Sequence, residues 1–185
     1  MYADRPGALV VVIGAMVLLS AAGGCSRSDG DAGQVPTAAP ERPRVHRIDA
    51  AGLRRVIEAH RGDVVLVDLW ATWCAPCVEA FPEVIRWHDE HAPAGLRIVS
   101  VSLDFPEDYD GLVDFLAEIR PPFPTHHLDV EDFDAFVNSF APEWSGAMPA
   151  MVFFDRDGAR RHVLQGADVQ ERAEGLLRQM LNAAP

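Results

Sequence analysis

The chain has 185 residues, 49% apolar and 24% charged, and its 16 Lys and Arg against 28 Asp and Glu leave a net charge of −12. That profile fits one globular domain with some irregular extra and excludes a disordered or collagen-like chain. So acidic a surface repels phosphate backbones, which excludes nucleic-acid binding. Three cysteines are too few for a disulfide scaffold but leave room for one reactive pair.

Ala8 to Ala22 reads ALVVVIGAMVLLSAA, preceded by Arg5 and followed by Gly23-Gly24-Cys25. As a helix this run spans about 22 Å, short of the ~30 Å hydrocarbon core. Residues 1–24 are therefore expected to be a signal peptide rather than a permanent span. Small residues ending at a cysteine resemble the lipobox of bacterial lipoproteins, which implies a lipidated Cys25 and a protein held at a bacterial membrane, outside the cytoplasm. Ala22 departs from that pattern, standing where Leu is usual. Residues 26–44 (SRSDGDAGQVPTAAPERPR) carry Val35 as their one large aliphatic residue. They cannot bury enough to order themselves, and 25–44 is expected to be a flexible tether. Asp4 and Arg5 cancel, so the remainder carries the whole net charge.

From residue 45 to 185 strands and helices alternate. Leu53, Val56 and Ile57 make a helical face behind Asp49, a plausible N-cap. Val64–Trp70 (VVLVDLW) is a continuous apolar run of the buried-strand kind. Pro76 to His91 reads as a helix with Ala80, Phe81, Val84 and Ile85 on one face and Gly95 after its end. Leu96–Leu103 is a second strand. Leu112, Phe115, Leu116 and Ile119 mark a helix stopped by Pro121-Pro122, and Phe133, Phe136, Val137 and Phe140 mark another. Ala150–Phe154 and Arg160–Gln165 flank Asp155-Arg156-Asp157-Gly158, a hairpin signal. Asp168 and Glu171 read as a capping box opening a last helix, with Leu176, Leu177, Met180 and Leu181 as its apolar side. Such an order implies an α/β fold with a mixed sheet covered on both faces.

The chemistry points to Trp73-Cys74-Ala75-Pro76-Cys77, which follows the first apolar strand and opens a helix. Unpaired N–H groups at a helix start favour an anion, so the Cys74 thiolate should be stabilised there. Cys77 lies one turn further in, close enough to close a small disulfide ring, and Pro76 fits a first turn where its missing N–H costs nothing. The expected roles are Cys74 as the exposed nucleophile and Cys77 as the buried resolving thiol. The competing reading is half of a zinc site. Zinc normally takes four ligands; the third cysteine is far off at Cys25, and His88 lies roughly 16 Å along the same helix from Cys77. No metal is expected.

Asp68 interrupts the apolar strand on the sheet face that the motif shares, where desolvation should raise its pKa. That suits a general acid or base acting on Cys77 during resolution. The plainer alternative is an aspartate at the edge of solvent. Pro82 should kink its helix. Met148-Pro149 precedes the AMVFF strand, and read from the sequence alone its peptide bond is trans at a strand start.

WATWCAPC after VVLVDL, Pro82 five residues past Cys77, Met148-Pro149 before a strand and FFDRDG into a hairpin together resemble the thioredoxin superfamily. Within it residues 45–185 are most similar to the TlpA/ResA-type membrane-anchored thiol-disulfide oxidoreductases. The resemblance implies a three-layer α/β/α sandwich, with Asp104 to about Leu128 as the central helix-and-strand insertion of that subgroup. It implies Cys74 as the attacking and Cys77 as the resolving cysteine, Asp68 as the buried acid, and Pro149 as a cis-proline whose loop pairs with substrate. Trp73 matches the aromatic beside the nucleophile, and Met148 replaces the smaller residue usual before the proline. Ala80 stands where the subgroup often has Glu, which shifts weight onto Asp68.

Two functions compete. The first is a lipid-tethered reductase of protein disulfides, recharged by a membrane thiol donor and needing no cofactor beyond the Cys74–Cys77 disulfide. Ala75-Pro76 offers no cation to stabilise the thiolate further, which makes a weaker oxidant and favours reduction. The second is a Cu(I) chaperone using the same two thiols, with His126, His127 and His162 as further candidates that read better as solvated surface residues.

Overall fold

The computed structural model describes Pro43 and residues 45–183. The expected signal peptide, Cys25 and nearly all of the tether lie outside the described residues.

Six strands form one sheet: β1 (His46–Ile48), β2 (Val64–Trp70), β3 (Leu96–Ser102), β4 (Thr125–Leu128), β5 (Ala150–Phe154) and β6 (Arg160–Gln165). Their spatial order is β1-β4-β3-β2-β5-β6. The first four run parallel, and β5 and β6 are antiparallel to their neighbours. The helices are α1 (Ala50–Ala59), α2 (Ala75–His91), α3 (Tyr109–Ile119), α4 (Phe133–Phe140) and α5 (Val169–Asn182).

β2 sits near the centre of the sheet and is buried at every position. Its alternation divides the core. Leu66 and Trp70 face a layer built by Phe81, Val84 and Trp87 of α2, Leu112 and Leu116 of α3, and Ala173 and Leu177 of α5. Val65, Val67 and Leu69 face the other layer, with Leu53 and Ile57 of α1 and Phe136 and Phe140 of α4. The result is the expected mixed sheet between two helical layers, with α3 and β4 as the inserted helix and strand. Trp87, fully buried, belongs to the core stripe of α2 that continues Cys77, Phe81 and Val84.

Caps and turns set the boundaries. Asp49 Oδ1 accepts the Gly52 N–H at 2.6 Å and starts α1. Gly95, at φ +91°, turns the chain from the end of α2 into β3, in the left-handed region that glycine tolerates best. The β5–β6 turn closes with the Gly158 N–H donating to Asp155 O at 2.9 Å. The helix α2 runs from Ala75 to His91 through Pro82 without interruption.

Three expectations need correction. The sequence reading places no strand before α1, yet His46–Ile48 pairs in parallel with β4. Asp168 does not form the capping box: at φ −97° and ψ 13° it lacks extended cap geometry, and its Oδ1 instead accepts from Arg172 Nη1 at 3.3 Å. His127 is not a surface residue, being 1% exposed.

Candidate active site

The C-terminal ends of β2 and β3 and the start of β5 meet at one end of the sheet, because Leu69 pairs with Ala150 and Trp70 with Ser102. Open α/β sheets place their sites at this end. β2 delivers Ala71-Thr72-Trp73 there, and Cys74 follows as the N-cap residue of α2. Its carbonyl accepts the N–H groups of Cys77 and Val78 at 2.9 and 3.1 Å. The side chain at an N-cap is the one that a helix start stabilises when it is anionic. Here it is sulfur.

Cys74 and Cys77 form a disulfide with their α-carbons 5.2 Å apart. Cys74 is 7% and Cys77 3% exposed. The expected contrast between an exposed Cys74 and a buried Cys77 is not found in the oxidised chain, where both are buried. Trp73 beside them is 52% exposed.

Asp68 lies on the face of β2 that α2 covers, between Leu66 and Trp70, and is only 4% exposed. Burial disfavours its charged form and raises its pKa to about 7. The solvent-edge alternative does not hold. The Met148–Pro149 peptide is cis, as the resemblance implies and the sequence alone does not. Pro149 is buried, and Met148 packs against the core cluster that contains both cysteines. The structure thus brings Asp68, Trp73, Cys74, Cys77, Met148 and Pro149 to one end of the sheet. Cys25 lies outside the described residues.

Sequence reasoning missed Asp104, the Thr72 and Ser102 that it holds, and Phe105. Asp104, just past β3, takes the Thr72 N–H on its carboxylate at 3.0 Å and the Ser102 hydroxyl at 2.6 Å. Phe105, 55% exposed, stacks on Trp73 with ring centroids 5.8 Å apart. A charged residue directly after a buried strand was the available signal. His126 is half-buried, and burial together with neighbouring His46 lowers its pKa. Among the described residues no group of His, Cys, Asp or Glu is arranged to hold a metal ion.

A family profile described as thioredoxin-like matches residues 62–159, more than half of the chain. Thiol-disulfide oxidoreductase ResA of Oceanobacillus iheyensis is 33% identical over 120 residues, covering 63% of this chain and 56% of its own length. Protein DipZ of Mycobacterium bovis is 29% identical over 131 residues, which is 69% of this chain and 18% of DipZ. The chain thus spans little more than half of the first relative and a small part of the second. Among solved structures, a thiol:disulfide interchange protein DsbE from Chlorobium tepidum superposes with a TM-score of 0.56 at 26% identity, covering 68% of this chain and 85% of that one.

Proposed function

The chain belongs to the thioredoxin-like family, and from that premise we propose that it is a thiol-disulfide oxidoreductase that reduces protein disulfides outside the cytoplasm. The observation that carries this reading is the Cys74–Cys77 bridge at the start of α2, facing the sheet end where the Pro149 loop begins β5.

In the reducing direction the Cys74 thiolate attacks one sulfur of a substrate disulfide. A mixed disulfide forms and the other substrate sulfur leaves as a thiolate, which takes a proton from solvent. Asp68, ionised, then accepts the proton of Cys77, and the Cys77 thiolate attacks Cys74 Sγ. This second exchange releases the remaining substrate thiolate and closes the Cys74–Cys77 bridge. Two electrons pass to the substrate, and a dithiol donor at the membrane must return them. The pKa of about 7 supports the assignment of Asp68, since a base that titrates near neutrality can both take and return a proton there. Trp73, exposed beside Cys74, and Met148, packed against the core cluster that holds both cysteines, serve as contacts for substrate, and the backbone beside Pro149 offers its polar groups to an extended substrate segment.

The apolar run before Cys25 and the Pro- and Gly-rich stretch after it support a signal peptide at 1–24, a lipid on Cys25, a tether over 25–44 and a redox domain over 45–185. Among the described residues no helix is long and apolar enough to cross a membrane.

Insulin reduction by the dithiol form tests the activity, with Cys74→Ser as control. Cys77→Ser should accumulate mixed disulfides with its substrates through Cys74. Cys74→Ser, with Cys77 as its only thiol of the pair, should trap nothing; mixed disulfides accumulating through Cys77 there would reverse the two roles. Mass spectrometry of the mature protein tests the anchor, which an unmodified Cys25 would exclude.

A further inference from the structure

Thr72 and Trp73 form a bare turn between β2 and α2. Among the described residues no strand pairs with them, and Cys74 follows directly. What holds this turn comes from the far side of β3. The Asp104 carboxylate, 4% exposed, accepts the Thr72 N–H on both oxygens at 3.0 and 3.2 Å and the Thr72 hydroxyl on Oδ1. Its Oδ2 also accepts the Ser102 hydroxyl at 2.6 Å.

Asp104 is itself fixed. Its N–H donates to Ser102 Oγ at 3.1 Å, and His127 Nε2, its ring buried, donates to the Asp104 carbonyl at 2.8 Å. The Leu103 N–H donates to Trp70 O at 2.7 Å, which ties the same loop to the end of β2. Among the described residues no cation pairs with the carboxylate. Its desolvation is instead offset by neutral donors, and Thr72 supplies two of them. The next residue, Phe105, stacks on Trp73.

Resting on the oxidoreductase reading, we infer that Asp104 is a positioning residue for the redox pair, holding Thr72 so that Cys74 stays within bonding reach of Cys77. Two thiols held in place close a disulfide far more readily than two that wander, because the ordering cost is met in advance. Releasing Thr72 lowers the effective concentration of one thiol at the other. The equilibrium of the bridge with two equivalents of a monothiol, giving the protein dithiol and one small disulfide, then moves toward the dithiol.

The test is the equilibrium of the full chain with reduced and oxidised glutathione, read for wild type, Asp104→Ala, Asp104→Asn and Thr72→Val, with thermal midpoints measured alongside. Asp104→Ala should shift the equilibrium constant about tenfold toward the dithiol, roughly 30 mV for a two-electron couple. Asp104→Asn keeps an acceptor for the Thr72 amide and should shift it less than about threefold. Thr72→Val removes only the hydroxyl contact at a half-buried site, so it should fold normally and shift the constant about threefold in the same direction. Midpoints that fall while the constant stays at its wild-type value would make Asp104 a purely structural residue. If Asp104→Ala does not fold, Thr72→Val decides, and no shift there overturns the inference. A wild type that exchanges with glutathione while all variants match it sinks the positioning role alone. A wild type that never exchanges sinks the oxidoreductase reading and this role with it.

Discussion

Two buried aspartates flank the redox pair, Asp68 within β2 and Asp104 just past β3, and both are 4% exposed. Burial alone drives the shift of Asp68, which carries its proton up to about pH 7. Asp104 is surrounded by donors, with the Thr72 amide, the Thr72 hydroxyl and the Ser102 hydroxyl on its two oxygens. Equal burial thus accompanies opposite surroundings. A carboxyl without donors is suited to exchanging a proton, and one filled with donors is suited to holding a loop.

The largest expected effect of that contrast is on stability. Asp68 titrates near 7 in the folded chain against an ordinary 3.8. Between those values the folded state binds more protons than the unfolded one, so the Asp68 contribution falls as pH rises from about 4 to about 7 and stays low above. Asp68→Asn abolishes this loss. Its advantage over wild type should grow across that window to on the order of 4 kcal/mol at pH 8. Urea unfolding at several pH values reads it, and parallel stability curves for the two proteins would show that Asp68 does not titrate there.

Next in size is the rate of resolution. Asp68→Asn should slow release of substrate from the mixed disulfide by about 10- to 100-fold, leaving the first attack by Cys74 near its wild-type rate. Below pH 7 the ionised fraction of Asp68 and the hydroxide concentration fall together, so the ratio of wild type to variant should hold at its maximum. Above pH 7 it should shrink. Stopped-flow reduction of a model disulfide separates the two steps, and equal resolution rates from pH 5 to 8 would leave Asp68 no part in them.

The same contrast recurs in milder form at two helix starts. Asp49 accepts the Gly52 N–H, whereas Asp168 caps nothing. Asp49→Ala should cost about 1 kcal/mol and Asp168→Ala less than about 0.5 kcal/mol by thermal or urea unfolding. Equal costs would mean that the cap bond at Asp49 contributes little.

These pairs also mark how far the sequence could be read. The buried strands, α2 with its cysteines and the β5–β6 hairpin follow from local signals: unbroken apolar runs, a helix-opening proline, Asp-Gly at a turn. Asp68 was legible because a carboxyl stood inside such a run. Asp104 was not, since its meaning depends on Thr72, 32 residues away in the chain. His127 looked like surface for the same reason, its burial set by Tyr109 and the Asp104 loop packed on it. β1 has only three residues and no apolar alternation to announce it. The capping box at Asp168 failed in the other direction, since the residue types were present without the backbone conformation that uses them.

Asp68, Thr72, both cysteines and Asp104 all belong to β2, α2, β3 and the residues that adjoin them. That placement bears on the order of assembly. Pairing of β2 with β3 closes one helix-length loop, whereas β5 reaches β2 only after the chain has passed through α3, β4 and α4. Loop closure of this kind favours the nearer partner, so the β2–α2–β3 unit is the natural nucleus. Core truncations such as Val99→Ala should then act mainly on the folding rate and Leu164→Ala in β6 mainly on the unfolding rate, and φ-values from chevron plots report the split. A nascent chain built this way has its two thiols and both carboxylates in register while the far side of the sheet is still forming.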